Sequence, residues 1–179
     1  MKRLKKEFVI SFTGLKLEAH QFSYQIGKTF FETFQYEDFL DANVQIAVDF
    51  LKKQTLFELM FKAKGVINVA CDLTNEAFNQ PIEADFNLIV KFGETFNDDE
   101  ESILILPHNA YEFDISQYIY EMLVLSMPVK RVHPGLADGT LKSDIIEKLE
   151  ELQPKQEIDL EDNQIDPRWA KLKTLRTEK

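Results

Sequence analysis

Apolar residues recur at every second position through much of the chain, and this period predicts β-strands because alternate strand residues face opposite sides of a sheet. The predicted strands in the first part of the chain cover residues 8–13, 22–26, 44–50, 57–61 and 67–71. Gly14 and Gly27 follow the first two strands.

Short polar segments separate the last three of these strands. Lys52-Lys53-Gln54 follows one strand, and Lys64-Gly65 is predicted to be a second turn. Glycine suits such a turn because it adopts positive φ at no steric cost. Three successive strands joined by short turns predict an antiparallel meander.

Alternation resumes after a loop predicted at residues 75–81. Residues 82–92 form a long predicted strand. Residues 97–101 are consecutively polar or acidic, so we expect an exposed loop there. Residues 103–106 form a short apolar strand, which Pro107 ends because proline lacks a backbone donor.

A helical period replaces the strand period after Asp114, whose carboxylate is suited to cap a helix. Apolar residues between Ile115 and Leu125 recur at helical spacing, and Pro128 ends the run. Their stripe is broad, so we expect this helix to pack on the sheet.

The rest of the chain predicts short helices around an acidic linker. Asp144 and Glu147 suit a capping box, and residues 157–162 form the linker. Asp166-Pro167 begins a last helix, with aspartate as its cap and proline at its first position.

These elements together predict an α+β fold with an antiparallel, strongly curved or barrel-like β-sheet, a packed helix and a C-terminal helical tail. We assign residues 1–135 to a β-rich core domain that includes the packed helix. Residues 136–179 form the acidic linker and the short C-terminal helices. The alternation does not decide whether the sheet closes.

Composition and charge restrict the classes of protein and of partner that the sequence fits. A hydrophobic content of 44% over 179 residues fits one globular domain, and we expect most of the 15 Phe residues to be core or interface. The net charge of −10 argues against bulk nucleic-acid binding. The charge is uneven, however, because basic residues mark residues 2–6 and 168–179 while acids cluster in residues 98–101 and 147–162.

The sequence favours a cytoplasmic protein. The basic N-terminus is followed by an alternating strand rather than a signal-peptide cleavage site. No apolar run approaches the roughly 20 residues that span a bilayer. Neither a membrane nor a DNA partner is expected.

The residues that carry enzymatic chemistry are sparse. Cys71 is the single cysteine, and no local motif pairs it with His20, His108 or His133, so we interpret it as a packed, inert thiol. The histidine spacing fits no metal site, and no glycine-rich phosphate loop is present. We therefore predict a protein that is not an enzyme and has no cofactor or metal.

Two segments are candidates for partner binding. The first, Pro128–Pro134, presents Lys130, Arg131 and His133 between two prolines, either as a contact for phosphate or an acidic partner or as an ordinary basic loop. The second is the amphipathic terminal helix, which docks either on the body or on another molecule. Its candidate residues are Arg168, Trp169, Lys171, Lys173 and Arg176.

These segments resemble the YceD family, which is named for an association with the accumulation of large-subunit ribosomal RNA. The resemblance covers roughly residues 40–179 and is carried by the order of short motifs. The matching residues are Cys71-Asp72-Leu73-Thr74, Phe78, Pro81, Phe113-Asp114-Ile115, Leu125 to Val129, His133, Asp166-Pro167-Arg168, Leu172 and Leu175. Thr74 replaces the second cysteine of the family's Cys-x-x-Cys, and later cysteines are absent, so the chain resembles a cysteine-poor branch in which a metal role for those cysteines cannot operate.

The resemblance implies a non-enzymatic ribosome-biogenesis factor that binds a large-subunit rRNA precursor or a ribosomal protein. Two other hypotheses stay open. A small-molecule or lipid carrier would use the strand phenylalanines to line a cavity, although they also suit a filled core. A thiol enzyme would use Cys71.

Overall fold

The computed structural model describes residues 6–141 together with residues 145, 148, 151 and 152, and it shows an α+β fold. The chain divides into two units, Met1–Lys142 and Ser143–Lys179, and the elements named here lie in the first. The strands are β1 (Val9–Ser11), β2 (Ala19–Gly27), β3 (Asp41–Lys52), β4 (Leu56–Ala70), β5 (Ala77–Gly93), β6 (Asn97–Glu100), β7 (Ile103–Pro107) and β8 (Glu112–Asp114). The helices are α1 (Lys28–Thr33), α2 (Ser116–Leu125) and α3 (Pro134–Ala137), and a 3₁₀ turn covers Lys6–Phe8.

Six strands form one sheet in the order β2-β3-β4-β5-β7-β6, and β1 pairs with β8 in a separate two-stranded sheet. Every neighbouring pair is antiparallel except β5 and β7, which are parallel. Strands β3, β4 and β5 form an antiparallel meander, but it is not the predicted one, because the predicted strands at residues 57–61 and 67–71 both fall on β4 and its end. The parallel pair was not predicted, and it arises because β7 enters the sheet between β5 and β6.

The six-stranded sheet is neither closed nor strongly curled. Among the described strands, β2 and β6 each pair on one side only. Closure would require these two edge strands to pair with each other, and they do not. The predicted curved or barrel-like form is therefore not confirmed.

The core lies on the face of the sheet that the alternating apolar residues define. On β3, Val44, Ile46, Val48 and Phe50 are completely buried, while the residues between them are mostly exposed. Burying one face in this way is what stabilises a sheet, at about 25 cal/mol for each Å² of apolar surface removed from water. Residues Ile119, Met122 and Leu123 of α2 join the same core, so the predicted packed helix is present.

The strand phenylalanines fill this core by packing against one another. The ring of Phe57 lies 4.9 Å from Phe12, 5.2 Å from Phe50 and 5.2 Å from Phe92, measured between centroids. Phe50 and Phe61 are completely buried. This packing favours a filled core over the aromatic-lined cavity that the carrier hypothesis requires.

The predicted turn at Lys64-Gly65 is wrong, because both residues lie inside the 15-residue strand β4. Gly65 pairs with Val44 on β3 and with Ile82 on β5. A Cβ atom at Gly65 would lie 2.6 Å from the Cα atom of Val44 and would also overlap the carbonyl oxygen of Asn43. Glycine is present because the neighbouring backbone approaches closely, and not because the chain reverses.

Two other predicted loops are partly strand. The loop predicted at residues 75–81 ends earlier, since β5 begins at Ala77. Pro81 lies in β5 beyond the part that pairs with β7, so only β4 flanks it there and its missing N–H is tolerated. The exposed loop predicted at residues 97–101 is exposed but forms β6 through Glu100.

Ile115, and not the predicted Asp114, is the N-cap residue of α2, but the Asp114 carboxylate still bonds to the first residue of the helix. The Oδ1 atom of Asp114 accepts a hydrogen bond of 2.8 Å from the backbone N–H of Ser116. Residues 145, 148, 151 and 152 have helical backbone, as predicted for a short helix there. The predicted acidic linker and the last helix lie outside the described residues. Within the described part of the chain, no helix is long and apolar enough to cross a membrane.

Candidate partner-binding surface

Two segments far apart in sequence are joined at one end of the sheet, and we call them together the junction. They are residues 71–76, which connect β4 to β5, and residues 128–137, which follow α2. The backbone N–H of Asp72 donates to the carbonyl oxygen of Arg131 at 2.8 Å. The N–H of Arg131 donates to Oδ2 of Asp72 at 2.6 Å, and its guanidinium Nε lies 3.6 Å from Oδ1. Asp72 therefore holds both the backbone and the side chain of Arg131.

The 71–76 segment is a tight turn with its own hydrogen bonds. The N–H of Cys71 donates to the carbonyl oxygen of Glu76, and the N–H of Asn75 donates to that of Cys71, each at 2.8 Å. Asn75 has a φ of 59°, in the left-handed region that asparagine tolerates better than most residues. The turn fixes Asp72 in the position from which it binds Arg131.

The thiol of Cys71 is buried inside the junction. Burial raises its pKa, but hydrogen bonds from the Thr74 hydroxyl and from backbone N–H groups, that of His133 among them, lower the pKa below its ordinary value. The His133 N–H lies 3.3 Å from Sγ. Because the thiol is 2% exposed, the geometry agrees with a packed thiol and gives a substrate no access to it.

The side chain of His133 caps the short helix α3. Its Nδ1 atom accepts a hydrogen bond of 3.0 Å from the N–H of Gly135. The ring also packs edge-on against Phe78, with centroids 5.5 Å apart. His133 thus holds the junction together.

Lys130 and Val129 form the outer part of the junction. Both residues are exposed, and Val129 is fully exposed. Within the described residues Lys130 forms no ion pair, whereas Arg131 is paired with Asp72. Lys130, Arg131 and His133 all lie in the 128–137 segment of the junction. Of the two basic side chains, only that of Lys130 presents its charge to solvent without an ion-pair partner among the described residues.

Comparison with known proteins shows that the chain matches one protein family. The family model described as large ribosomal RNA subunit accumulation protein YceD matches residues 59–176. The chain belongs to the YceD family. No curated protein and no solved structure matches it. Both segments of the junction lie inside the matched range, as does the predicted terminal helix.

Thr74 of this chain corresponds to the second cysteine of the Cys-x-x-Cys motif that the YceD resemblance implies. The Thr74 side chain is buried, and its hydroxyl hydrogen-bonds the Cys71 thiol. A hydroxyl therefore occupies the second position of the family's Cys-x-x-Cys and bonds the remaining sulfur. Among the described residues, no three His, Cys, Asp or Glu side chains come together as metal ligands.

The terminal candidates of this YceD family member lie outside the described residues, and their predicted roles stay predictions. They are Arg168, Trp169, Lys171, Lys173 and Arg176.

Sequence reasoning missed Asp72 as a residue that organises the junction. Its partner Arg131 is 59 residues away in the chain, and no local period reports a contact of that separation. The only available signal was that Asp72 falls in a motif that resembles the family and that Arg131 lies between two further matching residues, Val129 and His133.

Proposed function

We propose that this chain is a non-enzymatic ribosome-biogenesis factor that supports accumulation of large-subunit rRNA by binding a ribosomal component in the cytoplasm. The observation that carries the proposal is the YceD family match over residues 59–176. The buried state of Cys71 supports a binding role, since the single thiol of the chain is not presented to a substrate.

The proposed contacts divide the candidate residues by role. Lys130 offers an exposed cation that suits a phosphate oxygen or an acidic side chain. Arg131 and His133 position the segment that carries Lys130, because their own side chains bond to Asp72 and Gly135. The terminal candidates, Arg168 to Arg176, are proposed as a second contact.

Sedimentation of a cell lysate at low and raised salt tests the proposal. We expect the full chain to migrate with large-subunit particles at low salt and to dissociate as salt rises, because contacts between cations and phosphates release counterions. Lys130→Glu is expected to shift the protein toward the free fractions. Lys91→Glu, which places the same charge change on an exposed position of β5, is the matched control.

Migration only as a free protein in both salts would contradict binding to the particle. If Lys130→Glu and Lys91→Glu behaved alike while the wild-type chain bound, Lys130 would not be the contact. A paired Arg168→Ala and Trp169→Ala variant tests the terminal segment in the same gradients, and unchanged migration would exclude it.

A further inference from the structure

A groove of about 510 Å³ lies between strands β6 and β7 on one side and helix α2 on the other. Its size is within the range of about 300–1,000 Å³ typical of binding pockets in proteins. Strand β8 contributes to the wall, and the groove opens to solvent beside β6, an edge strand of the sheet. We call it the α2 groove.

The charge of the α2 groove is entirely negative in its described lining. Seven of the lining residues are Asp or Glu and none is Lys, Arg or His, with Asp98 and Glu100 on β6 and Glu121 on α2 among the acids. Among the described residues, no ion pair involves any of these seven. No described basic side chain neutralises these carboxylates, so the groove carries a net negative charge that attracts cations.

Tyr118 lies among these carboxylates. Its ring lies in the lining, stacked at a centroid distance of 6.2 Å on Phe86. Burial raises the pKa of Tyr118 to about 12, and the charges of Asp98 and Glu121 act in the same direction. The negative groups of β6 and α2 thus act on one point inside the groove.

The α2 groove also has an apolar component. Leu104, Leu106 and Phe113 line it from the core side. Phe96, at its edge, is 57% exposed. An exposed aromatic ring beside a concave acidic surface suits a partner that has apolar as well as cationic side chains.

From this charge complementarity we infer that the α2 groove binds a lysine- or arginine-rich polypeptide segment that also carries apolar side chains. Basic segments of this kind are typical of protein arms that bind nucleic acid, so the inference, which rests on the proposed function, assigns the ribosomal partner of this surface as a protein. RNA is disfavoured here because its phosphates meet only carboxylates. The groove and Lys130 then contact different components.

The test uses the full-length chain and a fluorescently labelled synthetic peptide in which lysine and leucine alternate. Fluorescence anisotropy is expected to show binding that weakens as salt rises. A peptide with glutamate in place of lysine is expected not to bind. A peptide with serine in place of leucine is expected to bind more weakly, because it keeps the charge and loses the apolar contacts.

Variants of the protein test whether the peptide binds in the α2 groove. The double variant Asp98→Asn and Glu121→Gln keeps the side-chain shapes and removes two charges, and we expect about tenfold weaker peptide binding. The matched control is Glu32→Gln with Glu37→Gln, two exposed acids outside the groove, which is expected to change the affinity less than twofold. Circular dichroism establishes that each variant is folded.

The outcomes separate this inference from the proposed function. Absence of peptide binding, or equal loss in the groove and control variants, would overturn the inference even if the chain still sediments with large-subunit particles. Loss confined to the groove variant supports the inference, even for a chain that does not sediment with particles. Binding of a single-stranded RNA oligonucleotide that the groove variant weakens would also overturn it.

Discussion

Gly65 is the residue at which side-chain size matters most for the sheet. It lies inside β4, where a Cβ atom would come within 2.6 Å of the Val44 Cα atom on β3. We expect Gly65→Ala to destabilise the fold by about 1–3 kcal/mol, because the strands must separate to admit the methyl group. Chemical denaturation of the variant measures this directly.

Gly14 provides the control for this residue-scale prediction, since nothing lies within 4 Å of a Cβ atom added there. Gly14→Ala is expected to change the stability by less than about 0.5 kcal/mol. If both variants lost the same stability, steric contact at β3 would not explain the glycine at position 65.

The residues of the junction show which side-chain contacts can and cannot be predicted from neighbouring residues in the sequence. Thr74 is three residues from Cys71 in the same turn, so its contact with the thiol is local in sequence. Arg131 reads as an exposed cation from its neighbours in sequence, and the pairing with Asp72 becomes visible only once the fold is known.

At the scale of elements, periodicity predicted strands in β1 to β5 and β7 but not where each one ends, and it did not predict β6 or β8. The faces of β3, β4 and β5 were predicted correctly because a buried face imposes a strict period of two. The same period continues unbroken through Gly65, so a 15-residue strand and a hairpin of two shorter strands look alike until pairing partners are known. The insertion of β7 beside β5 depends on long-range pairing that no window of sequence contains.

The groove itself also escaped prediction, because its two walls come from separate elements. The acids of residues 98–101 read as solvated loop in the sequence, and α2 read as a packed helix. The acids are exposed as predicted, although most of them lie in strand β6, and α2 packs on the core as predicted. The negative surface arises only because β6 and α2 face each other.

The raised pKa of Tyr118 gives a prediction about the groove that β6 and α2 both line. Because the folded-state pKa of about 12 exceeds the ordinary 10.0, the stabilising contribution is fully present below pH 10 and is lost as pH rises toward 12. Glu121→Gln removes one of the charges that raise the pKa, so we expect tyrosinate formation at Tyr118 to begin at lower pH.

Ultraviolet absorbance of tyrosinate against pH measures this change, and a Tyr118→Phe variant identifies which part of the titration belongs to this residue. Glu32→Gln on α1 is the control and is expected to leave the high-pH transition in place. An unchanged transition in Glu121→Gln would show that burial and the charge of Asp98 raise the pKa without a contribution from the charge on α2.

At the scale of the whole molecule, the buried core and the basic residues near the C-terminus occupy different parts of the sequence. The buried apolar residues of the described part lie between Phe8 and Leu123, and the terminal candidates begin at Arg168. The predicted boundary at residues 135 and 136 would cut α3, in which Gly135 is buried and donates to His133. Because the N–H of Leu141 also donates to the carbonyl oxygen of Gly135, we propose that the folded core extends at least to residue 141.

Two truncations test this extent of the core. A chain ending at residue 142 is expected to unfold cooperatively, because the described core is intact in it. A chain ending at residue 133 loses α3, including the bond from Gly135 to His133 and the packing of Leu136 on the core. We expect it to be about 1–2 kcal/mol less stable than the longer fragment. Thermal and denaturant unfolding compare the two fragments, and equal stability would place the core boundary before α3.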